Sequence, residues 1–232
     1  MRFLLIITLV LAPFFTDIKA TERYNPKNLI IATDLDDVVL ERRKGAIAAK
    51  VFKNFFRIGS LYAEFRKNRK PGDSVGQRYG EGFYLYLIDK GEHKLAKIVR
   101  SVNTKKRLKK NTVKIMQKMA AQGYEIYTAT NIGSVFFAKL QKKFADVFND
   151  RCIRQGMTVD FTKTKVIQKP NPKYFEKLKK KLNPKGDKSI LFIDDKLENV
   201  KAAREAGLLA IHYKNHKQLQ EDLMHYNINV CS

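Results

Sequence analysis

Two kinds of hydrophobic pattern alternate along the chain. Leu29-Ile30-Ile31-Ala32-Thr33, Tyr124-Glu125-Ile126-Tyr127-Thr128-Ala129, Ser189-Ile190-Leu191-Phe192-Ile193 and Leu208-Leu209-Ala210-Ile211-His212-Tyr213 are short apolar runs, which predict buried strands. Between them the apolar residues recur at helical spacing. Val113, Ile115, Met116 and Met119 form one stripe, Tyr174, Phe175, Leu178 and Leu182 a second, and Val200, Ala202, Ala203 and Ala206 a third. Gly123 and Gly207 stand where the first and third would end, and Pro172 sets the first turn of the second. Strands that alternate with helices predict an α/β fold with a doubly wound parallel sheet.

One segment breaks the alternation. From Ala46 to Phe65 the apolar residues, many of them aromatic, keep near-helical spacing. A break follows at Pro71-Gly72-Asp73, then the run Phe83–Ile88, whose type the pattern leaves open, and helical spacing returns from Leu95 to Val102. This predicts a mainly helical cap over residues 41–105, inserted into a core made of 21–40 and 106–232. Such a cap is where substrate would be selected. A chain of 232 residues suits one core with an insertion.

The amino terminus changes the expected location. Met1-Arg2 followed by apolar residues from Phe3 to Phe15 has the charged start and short apolar centre of a secretory signal, with cleavage after Ala20. The stretch is short for a membrane span, which needs about 20 residues, so residues 1–20 are expected to be a signal peptide and the protein to be exported, with no span afterwards. In an oxidising compartment Cys152 and Cys231 could pair, or remain two thiols.

Charge adds a preference for anions. Lys and Arg number 46 against 23 Asp and Glu, a formal charge of +23. The surplus is dispersed among Glu41-Arg42-Arg43-Lys44, Lys105-Lys106-Arg107-Leu108-Lys109-Lys110 and Lys177-Leu178-Lys179-Lys180-Lys181, a distribution typical of solvated faces, and no specific nucleic-acid motif stands out.

Chemistry gathers where the strands end. The first stops at Asp34, Asp36 and Asp37; ligands of open α/β sheets bind beyond the carboxyl ends of strands, and carboxylates this close favour a shared cation or a held proton. Thr130-Asn131 follows the second strand, where it would either face the crevice or cap the next helix. Lys169 precedes a proline turn and is either a surface charge or an ammonium entering an anion site. Asp194-Asp195 ends the third strand. His212 and His216 would share a metal only from one helix, and His212 closes a strand.

Taken in order, these motifs resemble those of the haloacid dehalogenase-like hydrolases. The family's Asp-x-Asp motif is similar to Asp34-Leu35-Asp36-Asp37-Val38, its strand closing on Ser or Thr to Thr130-Asn131, its lysine motif to Lys169-Pro170-Asn171-Pro172, and its acidic strand end to Phe192-Ile193-Asp194-Asp195 leading to Ala206-Gly207. The resemblance implies a Rossmann-like core and phosphoryl transfer through an aspartyl phosphate. It makes Asp34 the nucleophile, Asp36 the acid and base, Thr130, Asn131 and Lys169 the phosphate-binding groups, and Asp34, Asp36, Asp194 and Asp195 the holders of Mg2+. The acid at position 36 favours phosphate-ester hydrolysis, because the family's ion pumps carry Thr there and its dehalogenating members lack it. Val38 replaces a commoner Thr, and Asp37 a frequent Gly in a conformation that Gly reaches more easily. The expected function is a Mg2+-dependent phosphatase acting on a small phosphorylated substrate. The alternatives are a phosphotransferase to an alcohol acceptor, and a non-catalytic protein of the same fold that binds through its basic surface.

Overall fold

A computed structural model describes residues 24–42, 54–67, 80–163 and 166–230. The signal-like stretch and Cys231 lie outside them; Cys152 is a buried free thiol. In chain order, β1 (Leu29–Thr33) and β2 (Leu40–Arg42) precede α1 (Phe55–Lys67), α2 (Glu81–Asp89) and α3 (His93–Thr104). The chain returns through β3 (Lys106–Leu108), α4 (Lys110–Ala121), β4 (Glu125–Gly133), α5 (Ser134–Lys143) and β5 (Arg154–Val159). It closes with α6 (Pro172–Leu182), β6 (Ser189–Asp194), α7 (Leu197–Glu205), β7 (Leu209–His212) and α8 (His216–His225).

Five strands form one parallel sheet in the order β5-β4-β1-β6-β7. β1 lies at its centre because all five of its residues are apolar or small and need cover on both faces. Successive side chains point to opposite faces, and the core divides accordingly. Leu29 and Ile31 pack with Met116 of α4, Phe136 and Leu140 of α5 and Leu219 of α8. Ile30 and Ala32 pack with Tyr174 and Phe175 of α6 and Val200 and Ala203 of α7. Helices therefore cover both faces, and the protein has a Rossmann-like, doubly wound α/β fold. β5 and α8 were not foreseen: Arg154 and Gln155 break the apolar run of the one, and the other offers Leu219 and Leu223 among polar residues.

α1, α2 and α3 gather around their own apolar cluster of Ile58, Leu61, Tyr62, Phe83, Leu87, Leu95, Ala96 and Val99. The run Phe83–Ile88 is thus helical, inside α2. The chain leaves and re-enters the core through an antiparallel ribbon in which Leu40 faces Leu108, Glu41 faces Arg107 and Arg42 faces Lys106. Glu81, the first residue of α2, is buried and accepts hydrogen bonds from the N–H groups of Val135 (3.1 Å) and Phe136 (2.7 Å) at the start of α5. Those are donors a helix cannot satisfy within itself. Glycine at 133 permits the approach, since a Cβ there would collide with the Glu81 carboxyl group.

Candidate active site

The parallel register brings the strand ends together. Thr33 is level with Thr128 of β4 and Ile193 of β6, so Asp34 just past β1, Thr130 within β4 and Asp194 at the end of β6 lie on neighbouring strands at the same end of the sheet. The Asp34 N–H donates to the Ile193 carbonyl at 2.8 Å, fixing the backbone where β1 ends. The next turn places Asp37 at φ 61°, a left-handed conformation rare for residues other than Gly. It is held there by its N–H to the Leu40 carbonyl (2.7 Å) and by Lys109 Nζ, which donates to the Asp37 carbonyl at 2.5 Å.

A cavity of about 320 Å³ opens at this point, lined by Asp34, Asp36, Asp37, Arg42, Thr130, Asn131, Lys169, Asp195, Lys196 and Asn199. Asp34, Asp194 and Asp195 each offer a carboxylate oxygen within 4.8 Å of the others, an arrangement that could hold a metal ion. A larger cavity of about 510 Å³, at the starts of α4 and α8, contains none of these acids.

Lys169 is buried between Asp34 and Asp194. Its Nζ lies 3.0 Å from Asp34 Oδ1, 2.6 Å from Asp194 Oδ2 and 2.6 Å from the Ala129 carbonyl. Burial alone would lower its pKa, but the Asp194 and Asp34 carboxylates outweigh that and hold it above the usual lysine value. It is an ammonium at every working pH. Asn131 supplies the aim: its side-chain NH2 donates to the Lys169 carbonyl (3.0 Å) and its side-chain oxygen accepts from the Lys169 N–H (2.9 Å).

The adjacent acids Asp194 and Asp195 divide their tasks. Asp194 is fully buried, with Oδ2 on Lys169 and Oδ1 accepting from the Lys196 N–H and Asn199 Nδ2, both at 2.9 Å. Asp195 Oδ1 is buried with no hydrogen-bond partner. An orphaned carboxylate oxygen is costly, and a cation bound to it would offset that cost. Burial first, then the charges of Asp194 and Asp37, raises the Asp195 pKa. For Asp34 burial is again the main cause; Lys169 opposes it, Asp194 and Asp36 add to it, and the carboxyl is pushed up to about 7.

Four groups here escape sequence reasoning. Lys106, inside a run that looks solvated, is buried and ion-paired to Asp36. Arg42 and Lys196 line the cavity. His212 lies on β7, its Nε2 2.9 Å from the Asp195 carbonyl, while His216 begins α8, so the pair does not share a helix and His212 instead steadies the acidic loop. Thr130 lines the cavity and does not cap the next helix, whose N-cap is Gly133. It is buried, and its Oγ1 accepts from the Ile132 N–H at 3.2 Å, which leaves its own proton to donate.

Several known proteins are similar to this chain. A sesquiterpene phosphatase of Aspergillus oryzae, astK, is 27% identical over 100 residues, 42% of this chain, and the match covers 46% of that protein, less than half its length. Among solved structures, the HAD family enzyme BT-2542 of Bacteroides thetaiotaomicron aligns with a TM-score of 0.56 at 16% identity, over 81% of this chain and 94% of that one. Its wild-type complex with magnesium and inorganic phosphate aligns with a TM-score of 0.52 at 17% identity and the same coverage. The L-2-haloacid dehalogenase of Xanthobacter autotrophicus aligns with a TM-score of 0.54 at 13% identity, over 84% of this chain and 82% of that one. These structures share the fold. The model of the haloacid dehalogenase-like hydrolases matches residues 29–207, from β1 to the glycine that ends α7, and the chain belongs to that family of hydrolases.

Proposed function

We propose that the protein is a Mg2+-dependent phosphatase that hydrolyses a small phosphate ester through an aspartyl phosphate on Asp34. The observation that carries this reading is the convergence of three carboxylates and a buried lysine beside an orphaned Asp195 oxygen. The donors are all oxygen, with neither His nor Cys among them, which suits a hard cation such as magnesium. Asp34, Asp195 and the Asp36 carbonyl would hold it, with Asp194 behind them fixing Lys169. When bound, it neutralises charge on the transferring phosphoryl group and the nucleophile.

The chain's own groups do the rest. A carboxylate oxygen of Asp34 forms a bond to phosphorus as the ester P–O bond breaks, and the departing oxygen takes a proton from Asp36. Water then attacks the phosphorus, yields its proton to Asp36 and frees the Asp34 carboxylate and inorganic phosphate. Thr130 donates to a phosphoryl oxygen, and Lys169 holds the nucleophile and phosphate charges together. Burial pushes the Asp34 carboxyl up to about 7 in the protein alone, and a bound cation would favour its ionised, nucleophilic form. The second acid, Asp36, favours hydrolysis of phosphate esters over dehalogenation, and the similarity to astK supports the same class. The cap of α1, α2 and α3 would select the substrate, and the apolar amino-terminal stretch supports export.

The test is hydrolysis of p-nitrophenyl phosphate with the purified protein. Turnover should require magnesium, stop in EDTA and vanish in Asp34→Asn. Borohydride reduction of the protein quenched during turnover should convert Asp34 to homoserine. Turnover unchanged by Asp34→Asn would overturn the reading.

A further inference from the structure

Lys106 is a lysine that its surroundings do not ordinarily permit. Its side chain is 4% exposed, and a buried ammonium is tolerated only when paired. The partner is Asp36, whose carboxylate reaches into the acid-lined cavity and is 15% exposed. The backbone beneath Lys106 is fixed from several sides. It faces Arg42 in the β2–β3 ribbon, its carbonyl accepts from Lys143 Nζ at 2.7 Å, and three residues on, the Lys109 N–H donates to the Val39 carbonyl at 2.9 Å. A side chain anchored in this way has one place to put its charge.

We propose that Lys106 is the positioning residue of the acid and base Asp36, holding that carboxylate in the single orientation from which it reaches the departing oxygen and then the attacking water. This rests on the proposed phosphatase reading. A short acid on a turn next to a left-handed residue has several rotamers, and proton transfer in the transition state needs one of them at hydrogen-bond reach. Lys106 touches Asp36 and lies outside the set of groups that line the cavity. Its effect is therefore on proton transfer, not on phosphate binding.

That distinction gives a readout which a merely structural ion pair would not move. A p-nitrophenolate leaves without help from an acid, whereas an alkoxide needs its proton. In Lys106→Met, kcat/KM for an alkyl phosphate such as butyl phosphate should fall about 10- to 100-fold, a part of the usual worth of a general acid, while kcat/KM for p-nitrophenyl phosphate stays within about threefold. Hydrolysis of the aspartyl phosphate also uses Asp36, so p-nitrophenol should appear in a burst followed by slow turnover. Asp36→Asn, run in parallel, should show the same skew more strongly, and Lys106→Arg a smaller one. Equal losses on both esters, or none, in a folded Lys106→Met overturn the proposal. Should that variant not fold, Lys106→Arg, which keeps a buried cation, decides by the same ratio of esters. If wild type hydrolyses neither ester, the phosphatase reading fails. If Asp36→Asn shows the skew and the Lys106 variants do not, only the role of Lys106 fails.

Discussion

Replacing Asp34 by Asn should stabilise the metal-free protein, by an amount that grows with pH. The Asp34 carboxyl is buried; burial pushes its pKa from 3.8 to about 7, with Asp194 and Asp36 adding to the rise and Lys169 opposing it. Below pH 4 it is protonated in both the folded and the unfolded chain, and Asn, of nearly the same shape, is its close equivalent. Between pH 4 and 7 the folded protein holds a proton that the unfolded chain has released, so stability falls as pH rises; above 7 the loss is complete. About three pH units at about 1.4 kcal/mol each give about 4 kcal/mol. For a chain of this size that is about 8–16 °C in Tm. Lys169 is not stranded by the substitution, because Asp194 and the Ala129 carbonyl still hold it. The assay is urea denaturation of wild type and Asp34→Asn in EDTA at pH 4.5, 6, 7 and 8.5. The difference should be near zero at the lowest pH and largest at the highest. Magnesium should then narrow it by stabilising wild type alone, as binding to the native state requires. A difference that is flat with pH, or wild type more stable at pH 8.5 without metal, would refute the electrostatic account of the site.

Other variants probe its neighbours. Lys169→Met leaves Asp34 and Asp194 facing each other without a cation and should lose about 3–5 kcal/mol in urea denaturation near neutral pH, together with all turnover. Asp194→Asn should weaken the fold, because both of its oxygens are used, whereas Asp195→Asn should leave the apo Tm unchanged or higher and abolish the rise in Tm with magnesium; thermal scans of both separate the two roles. Glu81→Ala removes the acceptor at the start of α5 and should cost about 1–2 kcal/mol, with faster hydrogen exchange at the Val135 and Phe136 amides. Asp37→Gly relieves a left-handed residue and should raise stability by about 1 kcal/mol in the same urea assay.

The strand ends were legible in the sequence because an apolar run stopped by Asp, Thr or Asp-Asp is conspicuous, and each of those residues does line or border one cavity. The division between Asp194 and Asp195 was not. Adjacent residues at the end of a strand point in different directions, and only the partners found there reveal that one is spent on Lys169 while the other has an oxygen to offer. Asn131 was legible as a residue of the crevice, but its double hold on the Lys169 backbone joins segments far apart in the chain. Lys106 was hidden by its company, since nothing in Lys105-Lys106-Arg107 marks the middle residue as buried. Glu81 stands alone between two glycines, and its purpose lies in a helix that begins 53 residues later, at Ser134. Local pattern gives the elements and the residues at their ends; which charge meets which is decided by the packing of the insertion against the core.

The central claim is that Asp34 and Asp195 share one divalent cation. Crystals grown with manganese in place of magnesium would test it directly, through the anomalous signal of the metal. A single strong peak within coordination distance of both carboxylates, lost in Asp195→Asn crystals, is the predicted result. Peaks confined to the surface, or one that Asp195→Asn leaves in place, would contradict it.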